Sequence, residues 1–304
     1  MHVESQRPDG LDVFSCDVFD TFLLRRCTDP DGVFERTFDL AAIPPSHRHM
    51  RAAFVQHRRM AERRARAAAG GEIRIEDVYR RFPGHAFGLE RDEWQVLVQA
   101  EFQAETDLCF ADPEVLETFL TMRRSGLRCG FLSDTYWDAR RLGELLRGAA
   151  PGLEWDFLYP SCDHGTGKSD ALFARLLENE GVVPGRIVHM GDNEWADVRA
   201  ARRHNIRAIH LTRFSPALAG IFEREDAVFD LLCGRNGLPR RLDRGIRTAR
   251  RLVAATAPQS SPGFSYGVRV LGPVFSAFHA FVANRVRRLG RDGGAVAVAF
   301  LARD

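Results

Sequence analysis

Four short stretches of this 304-residue chain carry side chains able to do chemistry together. Asp17, Asp20 and Thr21 stand in DVFDT, at the end of an apolar run. Ser133 and Asp134 stand in FLSDT, Lys168 in GTGKS, and Asp192, Asn193 and Asp197 in GDNEWAD. A carboxylate at the lip of a buried strand is costly to desolvate unless a cation or donors compensate it. Asp17 is therefore either a cap on a turn or the centre of a site. The other stretches are weak alone, because Asp, Ser and Lys commonly close turns and open helices. As a set they read as a phosphoryl-transfer site. A nucleophilic Asp17 takes the phosphoryl group as an aspartyl-phosphate. A hard divalent cation, Mg2+ on the oxygen donors available, shields the two anions from each other, and Asp192 completes its site. Ser133 and Lys168 hold the phosphoryl oxygens. Thr21 and Asp134 are expected at the substrate and Asp20 and Asn193 in support. Asp197 would orient the cation's water or the Lys168 ammonium.

Lys168 is singled out in another way. Among 43 basic residues it is the only lysine. Where positive charge alone is needed this chain uses arginine, so position 168 asks for a compact ammonium that a planar guanidinium does not replace.

The elements that must position these groups alternate. Residues 11–16 predict a strand. From Asp112 the pattern runs helix (113–126), strand (127–134), helix (138–148), strand (156–161), a loop CDHGTGK, a helix capped by Ser169, strand (186–190), a GDN turn, helix (194–205) and strand (206–211). Such βα alternation implies a doubly wound parallel sheet with helices on both faces, an α/β fold. Sites in such sheets lie at the carboxyl ends of the strands. Asp17, Ser133, the Lys168 loop and Asp192 all fall there.

Residues 30–108 break the alternation with helices. The longest, 47–69, has an apolar stripe from Met50 and Phe54 to Ala65 and Ala68 and ends at Gly70-Gly71. It carries seven arginines against Glu62, whereas residues 90–107 carry six acids against Arg91. Either the two faces pair or stay solvated, or some of Arg58, Arg59, Arg63 and Arg66 overhang the site and hold an anionic substrate. The last third is basic and helical over 222–260, then shows a glycine-broken helix and AVAVAFLARD. That terminal apolar strand has no flanking partner, so the polypeptide is expected to continue into a further α/β module.

Composition narrows the class. A net charge of +2 argues neither for nor against a polyanionic partner, and no nucleic-acid partner is expected. There is neither an apolar signal core nor a run near the ~18 apolar residues of a membrane span, which predicts a cytoplasmic protein. Six scattered cysteines without a CxxC pair read as small buried thiols.

The order of motifs resembles the haloacid dehalogenase (HAD) superfamily over about residues 11–212. CDVFDTFLLR, AERRARAAAGGEIRIEDVY, LSDTYW, GTGKSDALF and MGDNEWADVRAARRHNI are similar to a HAD group that occurs in proteins of surface-polysaccharide biosynthesis, and LGPVF and FLARD match the text that follows in that group. The resemblance implies a Rossmannoid core at 11–24 and 113–215, a type-1 helical cap at 25–112, and a helical extension from 216. It also implies a nucleophile at Asp17, phosphate contacts from Ser133 and Lys168, and Mg2+ on Asp17, Asp192 and the Phe19 backbone carbonyl. The substrate would be a small phosphorylated metabolite such as a sugar or nucleotide-sugar phosphate, and the partners other polysaccharide-biosynthesis modules. One position departs from the pattern. HAD phosphatases carry a general acid two residues after the nucleophile, and here Phe19 stands there. Asp20 lies one residue on, and an extended segment reverses its direction. Losing a general acid commonly removes about 10²–10⁴-fold of rate. Two rivals follow: a catalytically weak binding or scaffold module, and a dehalogenase, which also has an aromatic residue at this position but does without the metal. CDHGTGKS falls short of a nucleotide-binding P-loop because Cys162 replaces its first glycine.

Overall fold

The computed structural model describes residues 10–27, 30–90, 93–212 and 261–290, with short pieces at 220, 223–224, 227, 249–250, 252–253 and 297–298. The chain divides into two compact units, Met1–Arg213 and Phe214–Asp304.

The first unit is built on a five-stranded parallel sheet. Its strands are β1 (Val13–Cys16), β4 (Arg128–Ser133), β5 (Phe157–Pro160), β6 (Ile187–Gly191) and β7 (Arg207–His210), in the order β5-β4-β1-β6-β7. β1 is central. Val13 pairs with Arg128 on one side and Ile187 on the other, and Cys16 with Phe131 and Met190. The two-residue period of a strand sends alternate side chains to opposite faces. Phe14 and Phe131 thus join Phe22 and Phe119 on one face, where the Phe119 and Phe131 rings stack at 4.7 Å. Val13 and Leu132 meet Leu172, Phe173 and Ile187 on the other. Helices cover both faces. On the Phe14 face lie α5 (Pro113–Arg124), capped by Asp112, and α6 (Ala139–Ala149), capped by Asp138; α8 (Leu172–Glu180) and α9 (Ala200–Arg203) lie on the Val13 face. Gly130 leaves room for the Phe157 backbone of β5, since a Cβ there would lie 2.3 Å from the Phe157 carbonyl oxygen.

Between β1 and β4 the chain leaves the sheet. Two three-residue strands, β2 (Leu23–Arg25) and β3 (Cys109–Ala111), pair antiparallel and bring the two ends of the excursion together. The excursion holds α1 (Asp31–Leu40), α2 (Arg51–Ala69), α3 (Ile75–Tyr79) and α4 (Trp94–Leu108). α2 stops at Gly70 in the left-handed conformation, as its sequence predicts. The oppositely charged helices pair through a buried centre. Arg58 of α2 donates to both oxygens of Glu101 of α4 at 2.7 Å, and Tyr79 Oη donates to the same carboxylate at 2.5 Å. Arg59 pairs with Asp31 and Arg66 with Glu62, while Arg63 is exposed.

Three local expectations need correction. Ser169 does not cap the helix before the fourth strand of the sequence; α8 begins at Leu172, and Thr166 Oγ1 accepts from Ala171 N instead. The loop after β5 opens with a helical turn, α7 (Ser161–His164). The helix after β6 begins as a wide π-type turn, Glu194–Arg199, before α9.

The second unit is described over α10 (Pro262–Tyr266), a π-type turn (Gly267–Leu271) and α11 (Gly272–Leu289), with Val274, Phe275, Phe278 and Phe281 exposed. The terminal strand, the basic stretch over 222–260 in its greater part, and Cys233 lie outside the described residues. Among the described residues no helix is long and apolar enough to cross a membrane.

Candidate active site

Parallel register carries four of the predicted groups to one edge of the sheet. Asp17 is the first residue beyond β1, and its N–H donates to the Met190 carbonyl at 2.8 Å, which continues the β1–β6 ladder. Ser133 closes β4 and Asp192 follows β6. The Lys168 loop follows β5 and is tied down by Asp134, whose Oδ1 accepts from Lys168 N at 2.8 Å. Lys168 is buried, and its Nζ donates to Asp17 Oδ1 at 2.6 Å and to Asp197 Oδ1. Oxygens of Asp17, Asp192 and Asp197 all lie within 4.8 Å of one another. Ser133 Oγ is buried on the same edge without a hydrogen-bond partner. Leaving such a group unpaired costs about 1–3 kcal/mol, so a buried orphan hydroxyl calls for a partner, a water or a ligand atom.

The supporting residues divide. Thr21 is fully buried and spends its hydroxyl on Asp192, donating to Oδ1 at 3.1 Å and accepting from Asp192 N at 3.0 Å. It holds a carboxylate where a substrate contact was expected. Asn193 supports the site from the backbone, its N–H donating to Asp197 Oδ2, while its side chain caps the next turn, accepting from Trp195 N and Ala196 N. Asp20 has φ 60°, and its side chain is 63% exposed beside Arg25. It stays outside the converging carboxylates, but its charge adds to burial, the larger cause, in raising the pKa of Asp192. Phe19 is half-buried with the Arg25 guanidinium 4.3 Å over its ring, and Arg25 is fixed by two bonds to Glu105 at 2.9 Å.

Two groups escaped the sequence reading. Ser15 Oγ and His189 Nδ1 are 2.8 Å apart, and His189 Nε2 is 3.2 Å from Asp197 Oδ1. The available signal was a single polar residue inside each apolar run, VFSC and IVHMG. The other omission is Glu72, which leaves the helical excursion and accepts from Ser161 Oγ at 2.7 Å; Ser161 Oγ in turn accepts from Thr135 N.

One ammonium bonds two carboxylates, and the electrostatics divide unevenly. Burial pushes Asp17 up to about 7, with Asp197 and Asp192 adding to the rise and Lys168 opposing it. Burial works against Asp197 too, but the His189 hydrogen bond and the Lys168 charge hold it below the usual carboxylate range. Lys168 is raised despite its burial, by Asp17 and Asp197. A stability prediction follows for the metal-free protein. Between the ordinary carboxylate value of 3.8 and about 7, the native state keeps a proton on Asp17 that the unfolded chain has released. Stability therefore falls as pH rises through that window and stays lowered above it. Asp17→Asn removes this cost. In chelator its melting temperature should match wild type near pH 3.5 and exceed it at pH 8; an equal difference at both pH values would exclude Asp17 as the cause.

Two of the described thiols, Cys129 and Cys162, are held in their neutral form. Burial pushes Cys129 and Cys162 up to about 12, far from a reactive thiolate.

Comparison with known proteins adds the family. The sequence profile of haloacid dehalogenase-like hydrolases matches residues 27–205. No curated protein matches the sequence. Among solved structures, the L-2-haloacid dehalogenase of Xanthobacter autotrophicus superposes with a TM-score of 0.50 at 18% identity, covering 72% of this chain and 83% of that one. The 2-haloacid dehalogenase of Pseudomonas syringae pv. tomato gives 0.45 at 22% identity, covering 66% and 86%. A HAD family enzyme of Bacteroides thetaiotaomicron, in complex with magnesium and inorganic phosphate, gives 0.45 at 14% identity, covering 66% and 94%. The Xanthobacter likeness speaks to the fold alone, and it agrees with the parallel sheet described above. The profile match spans more than half of the chain and takes in Ser133, Lys168, Asp192 and Asp197. With Asp17 meeting these residues at the sheet edge, the chain belongs to the haloacid dehalogenase-like hydrolases.

Proposed function

We propose that this hydrolase is a Mg2+-dependent phosphohydrolase or phosphotransferase working through an aspartyl-phosphate on Asp17. The observation that carries the reading is the orphan Ser133 Oγ, buried at the same sheet edge as the Asp17–Lys168 pair. A phosphoryl oxygen would satisfy that hydroxyl, and the Lys168 ammonium would meet the charge that grows on the phosphoryl group. Asp17 Oδ1 is held by Lys168, which leaves Oδ2 as the attacking atom. The new O–P bond forms as the P–O bond to the leaving group breaks, with the electron pair departing on the leaving oxygen. Water then attacks phosphorus, which returns the Asp17 carboxylate and releases phosphate.

The donor set fits a hard divalent cation. Oxygens of Asp17, Asp192 and Asp197 lie within reach of one another, and Lys168 engages Asp197 and one oxygen of Asp17. Asp17 Oδ2 and Asp192 would hold the cation, with the Phe19 carbonyl as the third ligand that the family resemblance implies. Bound Mg2+ would supply neutralisation between Asp17 and the incoming phosphoryl anion.

Phe19 shapes the substrate class. Without an acid there, leaving groups that are already weak bases are favoured, such as another phosphate or a phenolate. We extend the reading to a sugar or nucleotide-sugar phosphate of polysaccharide biosynthesis in the cytoplasm, with the helices of residues 25–112 as a cap. This extension rests on the resemblance of the text around DVFDT, LSDTYW and GDNEWAD. Phe19 also favours a second reading, carbon–halogen cleavage, against which stands the carboxylate set suited to a cation.

A panel of phosphorylated compounds with and without Mg2+ tests the proposal. Mg2+-dependent phosphate release should be found, fastest with p-nitrophenyl phosphate or a diphosphate-type bond. Phe19→Asp should raise turnover of alkyl phosphates by at least about 10-fold. Absence of Mg2+ binding by calorimetry, with chloride released from 2-chloropropionate, would favour the dehalogenase instead.

A further inference from the structure

We propose that Ser15 and His189 form a positioning pair that holds Lys168 at the nucleophile by way of Asp197. The proposal deepens the phosphoryl-transfer reading, although its first test needs no substrate. The pair is set by the sheet: Ser15 of β1 and His189 of β6 are direct partners in the parallel register. Both are fully buried, and the Phe173 ring packs edge-on to the imidazole at 5.0 Å. A polar pair at the centre of an apolar sheet is costly unless every polar atom is used.

Here each atom has a use, and the uses run in one direction. Asp197 is ionised, so the His189 nitrogen facing it, Nε2, must carry a hydrogen. Burial keeps the imidazole neutral, which leaves Nδ1 as an acceptor, and Ser15 Oγ–H donates to it. The serine thus selects the tautomer that donates to Asp197. Asp197 Oδ1 receives both the His189 N–H and the Lys168 ammonium, while Oδ2 accepts from Asn193 N at 2.9 Å. The last link is Lys168 Nζ on Asp17 Oδ1.

Asp197 lies in the six-residue π-type turn Glu194–Arg199, a rare geometry that is frequent at functional sites. By contrast, His189 lies on a strand paired on both sides, with β1 and β7. The chain also clears room for Asp197: a Cβ at Gly191 would lie 2.2 Å from its Cγ. A core histidine that only filled space would not need this alignment, since leucine has a similar bulk and no nitrogen to satisfy.

The single lysine makes the pair testable directly. Protein labelled with 15N-lysine gives one side-chain ammonium signal, that of Lys168. Its hydrogen exchange with water reports how firmly the ammonium is held. His189→Leu removes the donor and should speed exchange about 10–100-fold, the factor that losing one hydrogen bond to a charged group corresponds to. His189→Gln keeps an N–H near the Nε2 position and should stay within about threefold of wild type, because that bond is kept. Ser15→Ala, a change small enough to leave the core intact, should move exchange in the direction of His189→Leu. Phosphate release from p-nitrophenyl phosphate should follow the same order in kcat with KM unchanged. The proposal is overturned if Ser15→Ala and His189→Leu both exchange at the wild-type rate, or if His189→Gln exchanges as fast as His189→Leu. If wild type releases no phosphate but the exchange order holds, the phosphohydrolase reading fails and the positioning pair stands.

Discussion

Asp17→Asn is expected to lower phosphate release by at least about 10⁴-fold, the scale on which loss of a covalent nucleophile acts. The substitution keeps shape and removes charge. The amide has no carboxylate oxygen to attack phosphorus, and Lys168 keeps its bond to Asp197. The fold should survive, because the replaced carboxylate is one that burial already disfavours. Wild type and Asp17→Asn should therefore differ in rate on every phosphorylated compound while sharing one circular-dichroism spectrum. Equal phosphate release from both proteins would remove the enzyme reading and leave a HAD-like domain kept for binding or scaffolding. Against that alternative stand Ser133, Lys168 and the carboxylates at one sheet edge, a buried arrangement that binding through another surface does not require.

Lys168→Arg is the second large effect, expected at about 10²–10³-fold in kcat, as for the loss of one transition-state donor. Its charge is conserved, so a role in overall charge alone would predict little change. The ammonium bonds two carboxylates from a buried position beneath a loop that Asp134 fastens. A planar guanidinium is larger, and overpacking a filled site costs about 1–3 kcal/mol. Lys168→Met, which fits the space, should lose as much activity, and it should lose stability at pH 8 as Asp17 and Asp197 face each other without a cation. An active Lys168→Arg enzyme would deny the lysine its special place.

How far these residues could be read from the chain depends on how local their signals are. The strands around Asp17, Ser133 and Asp192 announce themselves by apolar runs that end in a polar residue, and the helices by their 3.6-residue stripes. Parallel pairing then brings the strand ends together without further information. Arg58 was legible only as half of a choice between pairing and substrate binding, because the sequence does not say that Glu101 faces it across 43 positions. β2 and β3 were not legible at all: three residues are too few for a period, and their pairing spans the whole helical excursion. Ser15 and His189 escaped for a related reason. Each is a lone polar residue in an apolar strand, and only the register of β1 on β6 turns two isolated irregularities into one contact. The stretches holding Thr21 and Asn193 were legible, but their bonds were not: a hydroxyl or amide beside a carboxylate serves the backbone and the carboxylate first.

The most direct test of the mechanism is the chemical state of Asp17 during its first turnover. Wild-type protein with Mg2+ and p-nitrophenyl phosphate, quenched in acid at successive times, would be digested and the peptide holding Asp17 weighed. An aspartyl-phosphate mechanism predicts that this peptide transiently gains the mass of one phosphoryl group on Asp17 and loses it as substrate is exhausted. Phosphate released while that peptide stays unmodified at every time, or a phosphoryl group found on another residue, would contradict it.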